Sequence, residues 1–203
     1  MPKIIDKESK KIEIITAAIK TFARQGYKNT KMADVAVAAN IGKGTLYEYF
    51  SSKEDMFRFA FTHFMESMEN SMALSMFKQT DPVEKLRSLG KAWSDILKAH
   101  EPGIIDIMMD FWAEAIRKKD DDGMKLINLE KIYEDYRKIV KSILDDGVRM
   151  GTFKKMDTLL TAAIFISTFD GVIVQWIMDK SAFDVHEALL NATDILIDGI
   201  LCK

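Results

Sequence analysis

Helix-start signals recur through this chain and restrict it to helical folds. Residues 52–55 (SKED) form a capping-box pattern, and residues 81–84 (DPVE) combine a cap, a first-turn proline and an acid. Asp157 and Asp184 precede two further apolar stretches, in which apolar residues recur at helical spacing. With 10 Gly and 3 Pro in 203 residues, turn formers are too few for an all-β chain. We predict an all-α fold of about nine helices.

Charge divides the chain into a basic beginning and an acidic remainder. The first 53 residues hold ten Lys and Arg against five Asp and Glu, whereas the rest holds 19 against 26. A basic module carried by an acidic body is typical of proteins whose basic part contacts phosphate. We expect one domain over residues 8–68 and a second, helical domain over residues 69–203.

Within the basic domain, two short helices flank residues 40–42 and give the spacing of a helix-turn-helix over about 31–50. Leu46 and Phe50 share one face of the second short helix and are expected to pack inward. The outward positions are Gly44, Thr45, Tyr47 and Glu48, with Lys43 and Tyr49 on the flanks.

The outward residues have the chemistry that duplex DNA needs. Glycine at position 44 lets the backbone approach a phosphate, and Thr45 and Tyr47 can contact phosphates or base edges. Glu48 can accept a hydrogen bond from a cytosine amino group or repel wrong bases. The alternative is that the two helices are ordinary core packing, because this geometry also occurs in proteins that bind no DNA.

The stretch from Thr30 to Phe57 resembles the DNA-binding signature of the tetracycline-repressor (TetR) family, most specifically in residues 43–47 (KGTLY), followed by YF and KE. The similarity covers about residues 10–64. It implies a three-helix DNA-binding module in which Thr30, Tyr47 and Lys53 contact phosphates. It also implies that residues 43–49 are the recognition helix, with Gly44, Thr45 and Tyr49 near base edges. The chain departs from the family in having Asn40 instead of Gly, and Gly42 instead of Ser or Thr.

The resemblance also implies a carboxy-terminal domain that dimerises and encloses an effector pocket. The helices expected over about 158–179 and 184–201 are apolar around more than one face, so each needs a partner on two sides. We therefore predict a homodimer in which these helices pack against their copies. The first of them approaches the length of a membrane span, but Asp170 in its middle favours an interface helix and no membrane association.

Aromatic and methionine side chains concentrate on the helices that would enclose the pocket. A pocket lined by such groups takes a largely apolar ligand, and 13 Met would let it reshape, although any one of these residues can equally be core. Polar anchors can come from Asp170, Gln175 or the series Asp106, Asp110 and Glu114. The pocket candidates are Phe64, Met68, Trp93, Met108, Phe111, Trp112, Tyr136, Phe169 and Trp176.

Catalytic motifs are missing from the sequence. The Glu-x-x-His pairs of di-iron bundles are absent, because His63, His100 and His186 follow Ala60, Leu97 and Phe183 at that spacing. No P-loop, dinucleotide fingerprint or nucleophile elbow is present. We expect no enzyme activity, no cofactor and no metal.

The combined prediction is a cytoplasmic, homodimeric transcriptional regulator, specifically a repressor released from a palindromic DNA operator by a largely apolar small molecule. The cytoplasmic location follows from the single cysteine, Cys202, and an amino terminus without an apolar leader. The alternative is a non-catalytic helical protein that binds a small molecule and has no DNA role.

Overall fold

The computed structural model describes residues 7–77, 79–99, 105, 107–109, 112 and 128–202, without the side chains of residues 64, 68, 75–77 and 99. Eight helices lie in this part of the chain, which has no β-strand, and the all-α prediction is confirmed. The helix expected from residue 101 to 119 lies mostly outside the described residues, and its described positions are helical. The eight are α1 (Lys7–Gln25), α2 (Met32–Ala38), α3 (Lys43–Tyr49), α4 (Lys53–Phe77), α5 (Pro82–Ala99), α6 (Leu129–Arg149), α7 (Thr158–Met178) and α8 (Val185–Ile200).

Two compact units make up the described structure, and α4 contributes to both. The first unit contains the described residues up to 66 and those from 105 to 112, and the second contains residues 67–99 and 128–202. Residues 105, 107–109 and 112 therefore group with the amino-terminal unit, although they fall within the range 69–203 predicted for the second domain. The grouping follows packing rather than chain order, and the predicted domain bounds stay a prediction.

The first unit is built on the buried face of α1, which packs against α2, and α2 packs against α3. Helix α1 ends before Gly26, whose φ of 80° is the left-handed conformation that stops a helix. Asn40 takes the same role after α2, with a φ of 52°. Both stops are where the sequence predicts them. The buried apolar residues of α1 are Ile14, Ile15, Ala18, Ile19 and Phe22.

In the second unit, α7 packs between α6 and α8, and α5 contacts α6 and α8. The predicted caps are present: the Asp157 carboxylate accepts from the amides of residues 159 and 160, and the Asp184 carboxylate from those of residues 186 and 187. Helices α5 and α8 approach closely at Gly90, where a Cβ would overlap the Thr193 side chain. This unit is therefore a closely packed bundle that depends on small residues where its helices cross.

Candidate nucleic-acid interface

Helix α3 is held on the first unit by two fully buried side chains. Leu46 is 0% exposed and Phe50 is 2% exposed. The side chains of Lys43, Thr45, Tyr47 and Glu48 are exposed on the opposite side, together with Gly44, and Tyr49 is half-buried. The predicted inward and outward faces of this helix are therefore confirmed, and the contacts of the outward face with DNA stay a prediction.

The turn before α3 is made by the backbone. The amide of Ile41 donates to the Ala36 carbonyl at 3.0 Å, and Gly42 caps α3 in an extended conformation without a side-chain hydrogen bond. A Cβ at Gly42 would lie 3.8 Å from Thr45 Oγ1, an ordinary contact. A serine would therefore fit at this position. Having glycine here instead costs the helix only a small stabilising contribution from a side-chain cap.

Two features of the exposed face suit contact with a polyanion. Around Gly44, no atom lies within 4 Å of where a Cβ would be, so packing does not explain the glycine. The Lys43 ammonium lies 5.9 Å from the centre of the Tyr47 ring, a cation–π contact on the exposed side of the helix. The arrangement presents a positive charge beside an accessible stretch of backbone.

Thr30 does not present its hydroxyl for the predicted phosphate contact. The residue is 2% exposed, and its Oγ1 donates to the Gly26 carbonyl at 2.9 Å. Its hydroxyl and its amide both donate to this carbonyl, and together they close the turn between α1 and α2. The phosphate contact of Thr30 stays a prediction, since the structure shows this hydroxyl bonded within the protein.

Lys53, for which the resemblance implies a phosphate contact, is bonded to backbone carbonyls within the protein. Its ammonium donates to the carbonyls of Tyr27 at 2.6 Å, Thr30 at 3.1 Å and Lys28 at 3.3 Å. It also lies 4.4 Å from the centre of the Tyr27 ring. An ammonium has three donors, and here all three point at the α1–α2 turn. Lys53 thus ties the start of α4 to this turn, and its phosphate contact stays a prediction.

Tyr27 completes this connection and was missed by the sequence reasoning. Its ring packs edge-on against Phe22 at 5.3 Å and Phe57 at 5.4 Å, joining α1 to α4. Burial, with the neighbouring charge of Glu54, raises the pKa of Tyr27 to about 12. The only available signal was an aromatic residue directly after the helix-ending Gly26, which does not reveal its partners.

The pocket candidates are divided between the two units. Phe169 lies in a buried cluster of the second unit, against which Trp93 and Trp176 pack. Tyr136 is buried in the same unit, whereas Met108 and the half-buried Trp112 belong to the first. The side chains of Phe64, Met68 and Phe111 lie outside the described residues. Which of these residues line a pocket stays a prediction.

Among the proposed polar anchors, Asp170 is half-buried and accepts a hydrogen bond from the Tyr133 hydroxyl at 3.0 Å. Burial raises the pKa of the Asp170 carboxyl, an effect that the Tyr133 hydrogen bond partly opposes. Gln175 is exposed, and Asp106, Asp110 and Glu114 lie outside the described residues. No group of three or more potential metal ligands is present among the residues that the structure describes.

Helices α7 and α8 expose a large apolar surface. By length and composition alone, α7 could cross a membrane, but it packs against α6 and α8 and carries Asp170. Exposed apolar side chains on such a scale mark an interaction surface. The exposed large apolar residues of the two helices are Leu159, Leu160, Ile164, Met178, Leu190 and Ile195.

Comparison with known proteins accounts for nearly the whole chain. The sequence profile of bacterial regulatory proteins, tetR family, matches residues 14–59, and that of the YsiA-like protein C-terminal region matches residues 57–199. The fatty acid metabolism regulator protein of Bacillus subtilis is 26% identical over 200 residues, which cover 96% of this chain and 97% of the relative. The HTH-type transcriptional repressor KstR2 of Mycolicibacterium smegmatis is 27% identical over 192 residues, which cover 95% and 91%.

A solved structure agrees with these sequence matches. The crystal structure of the transcriptional regulator FadR from Bacillus subtilis in complex with stearoyl-CoA has a TM-score of 0.75 with this chain. The two chains are 23% identical over an alignment that covers 93% of this chain and 98% of the other. The likeness extends over both units and therefore supports the same fold throughout.

Proposed function

The chain belongs to the tetR family of bacterial regulatory proteins and is a DNA-binding transcriptional regulator, and we propose that it is a homodimeric repressor released from its operator by an acyl thioester. Its relatives are named as regulators and not as enzymes, which agrees with the expectation of a protein without a catalytic site. The alternative of a helical ligand-binding protein without a DNA role is set aside, because the family match includes the helix-turn-helix.

The single observation that carries the DNA-binding role is the seating of α3. Buried Leu46 and Phe50 hold this helix rigidly, so that Lys43, Thr45 and Tyr47 are presented together on its exposed side. A helix held in this way can enter the major groove, where hydroxyl and cationic side chains contact phosphates and base edges. The chain's excess of basic residues before position 54 adds attraction to the polyanion.

The exposed apolar surface of α7 and α8 supports the homodimer. A two-fold axis places the same patch of each subunit against its copy, so that one apolar surface supplies both sides of the interface. Two copies give two recognition helices, which read half-sites about 34–36 Å apart on one face of DNA. A palindromic operator follows from this symmetry, and we place the protein in the cytoplasm with the DNA that it binds.

The effector class is argued from the relatives and from the aromatic interior of the second unit. The similar regulator from Bacillus subtilis was crystallised with stearoyl-CoA. Phe169, Trp93 and Trp176 form an apolar cluster of the kind that an acyl chain can contact. The effector lowers operator affinity only to the extent that it prefers a conformation whose reading helices no longer match the half-site spacing.

The test begins with selection of a high-affinity site from a pool of random DNA duplexes. We expect a palindromic sequence, an affinity that falls steeply as salt rises, and a dimer by sedimentation. Stearoyl-CoA should release the protein from this site, whereas coenzyme A alone should not. A protein that binds the site as a monomer would contradict the dimer, and one that stearoyl-CoA leaves bound would contradict the effector class.

A further inference from the structure

Tyr136 of α6 buries a hydroxyl that has no partner. The residue is 7% exposed, and its hydroxyl oxygen makes no hydrogen bond in the structure. Buried polar groups are nearly always paired, because an unpaired one has lost its water and gained nothing in return. A native site that keeps such a group therefore needs an explanation, and a ligand that supplies the missing partner is one.

The other buried residues on the helix of Tyr136 and on the adjacent α7 are apolar. On its own helix Tyr136 lies on the buried face with Val140 and Ile143. Helix α7 packs against α6, and its buried residues include Phe165 and Phe169. A ligand that reaches the hydroxyl must therefore be apolar over most of its length.

The charges near Tyr136 are negative, and they restrict the polar group of such a ligand. Burial, with a smaller contribution from the charge of Glu69 on α4, raises the pKa of Tyr136, so its hydroxyl stays protonated and can donate. One helical turn earlier, Tyr133 donates to Oδ2 of Asp170. A carboxylate placed here would be repelled by these acids, and a quaternary ammonium would offer the hydroxyl no acceptor.

We propose that the Tyr136 hydroxyl donates the hydrogen bond that anchors the effector, which therefore carries an uncharged acceptor, such as a thioester or ester carbonyl, on an apolar chain. This inference rests on the proposed effector-controlled function and adds the anchoring atom and the charge state of the ligand. The proposal predicts that the protein binds a neutral acyl ester or thioester more tightly than the free fatty acid with the same acyl chain.

The experiment compares Tyr136→Phe with Tyr133→Phe in the full-length protein. Both changes remove one hydroxyl from α6, but only Tyr133 has a hydrogen-bond partner in the structure. The probes are stearoyl-CoA, the matched pair methyl laurate and laurate, and choline. Binding is measured by calorimetry, and ligand-free stability by thermal unfolding.

We expect the wild type to bind methyl laurate more tightly than laurate, and to bind choline least. Tyr136→Phe should weaken binding of both stearoyl-CoA and methyl laurate by roughly five- to tenfold, the loss of one buried hydrogen bond. The ligand-free Tyr136→Phe protein should unfold at the wild-type temperature or above it, because the change removes an unpaired group. Tyr133→Phe should lower the unfolding temperature.

The contrary outcomes are distinguishable. If Tyr136→Phe binds the acyl probes as tightly as the wild type, the anchoring role of Tyr136 is wrong and the effector class still stands. The same conclusion follows if Tyr136→Phe lowers the unfolding temperature as much as Tyr133→Phe does. Tighter binding of laurate or choline than of methyl laurate overturns the neutral acceptor. If no acyl probe binds while the selected operator does, the anchor and the effector class both fail and the DNA-binding role remains.

Discussion

The two units of this protein expose surfaces of different chemistry, and each surface suits the partner that we propose for it. In the first unit, α3 turns Lys43, Thr45 and Tyr47 outward over a buried Leu46. In the second, α7 and α8 leave Ile164 and Ile195 exposed. Both units bury an apolar core, so the difference lies in what each leaves in solvent. A polar, partly cationic face suits DNA, whereas an uncovered apolar face suits a second copy of the chain.

The largest effect is expected where the apolar surface is broken. The double substitution Ile164→Asp and Ile195→Asp should produce a monomer, because the new charges would be buried at the interface. Ile195 is 70% exposed in the single chain. Operator affinity should fall by about a thousandfold, since binding through two linked half-sites is lost. Sedimentation and gel-shift titration measure the two results.

Leu74→Asp is the matched control for this prediction. Leu74 is also a large exposed apolar residue of the second unit, but it lies on α4 and outside the proposed interface. It should leave the dimer and operator affinity unchanged. A dimer that survives both interface substitutions would place the contact on another surface.

The next largest effect separates the buried and exposed faces of α3. Leu46→Ala should lower the free energy of unfolding by about 3 kcal/mol, since it leaves a cavity beneath the helix. Tyr47→Ala removes a larger side chain, yet it should change unfolding by less than about 0.5 kcal/mol because the residue is exposed. Its effect should appear as weaker operator binding. Chemical denaturation and gel shift separate the two, and a reversed order would contradict the assigned faces.

Lys53 tests whether a basic residue of the first unit acts on DNA or on the fold. Lys53→Met should destabilise the protein by about 1–2 kcal/mol, because the carbonyls of the α1–α2 turn lose a charged donor. Operator affinity should fall with the slope of log affinity against log salt unchanged. Lys43→Met should instead reduce that slope by roughly 0.9 with little change in stability. A salt slope reduced by Lys53→Met would instead show that Lys53 contacts a phosphate.

The smallest effect concerns the turn between α2 and α3. Gly42→Ser should stabilise the protein by a few tenths of a kcal/mol, because a serine hydroxyl can cap α3 and the site has room for its side chain. Thermal unfolding measures the gain. Gly90→Ser is the control at a glycine without room for a side chain. Its added Cβ would overlap Thr193, so this substitution should lower the unfolding temperature.

Much of the candidate interface could be predicted because its signals are local. The spacing of Leu46 and Phe50 defines the buried face of α3 within a few residues, and Asn40 accommodates the turn through its own backbone. The contacts that Thr30 and Lys53 make within the protein could not be predicted, for the opposite reason. Each carries a group that can bind phosphate or a carbonyl. The α1–α2 turn brings the carbonyls of residues 26, 27, 28 and 30 to these side chains, and local spacing does not reveal that.

The amino-acid sequence alone determined the all-α fold, the positions of the helix stops and caps, and the face of α3 that points outward. These follow from periodicity and from residues that act on their immediate neighbours. Only the tertiary structure decided that Lys53 serves the fold, that the aromatic candidates divide between two units, and that Tyr136 keeps a hydroxyl without a partner. A side chain's partner depends on which distant segments pack beside it, and spacing along the chain carries no such information.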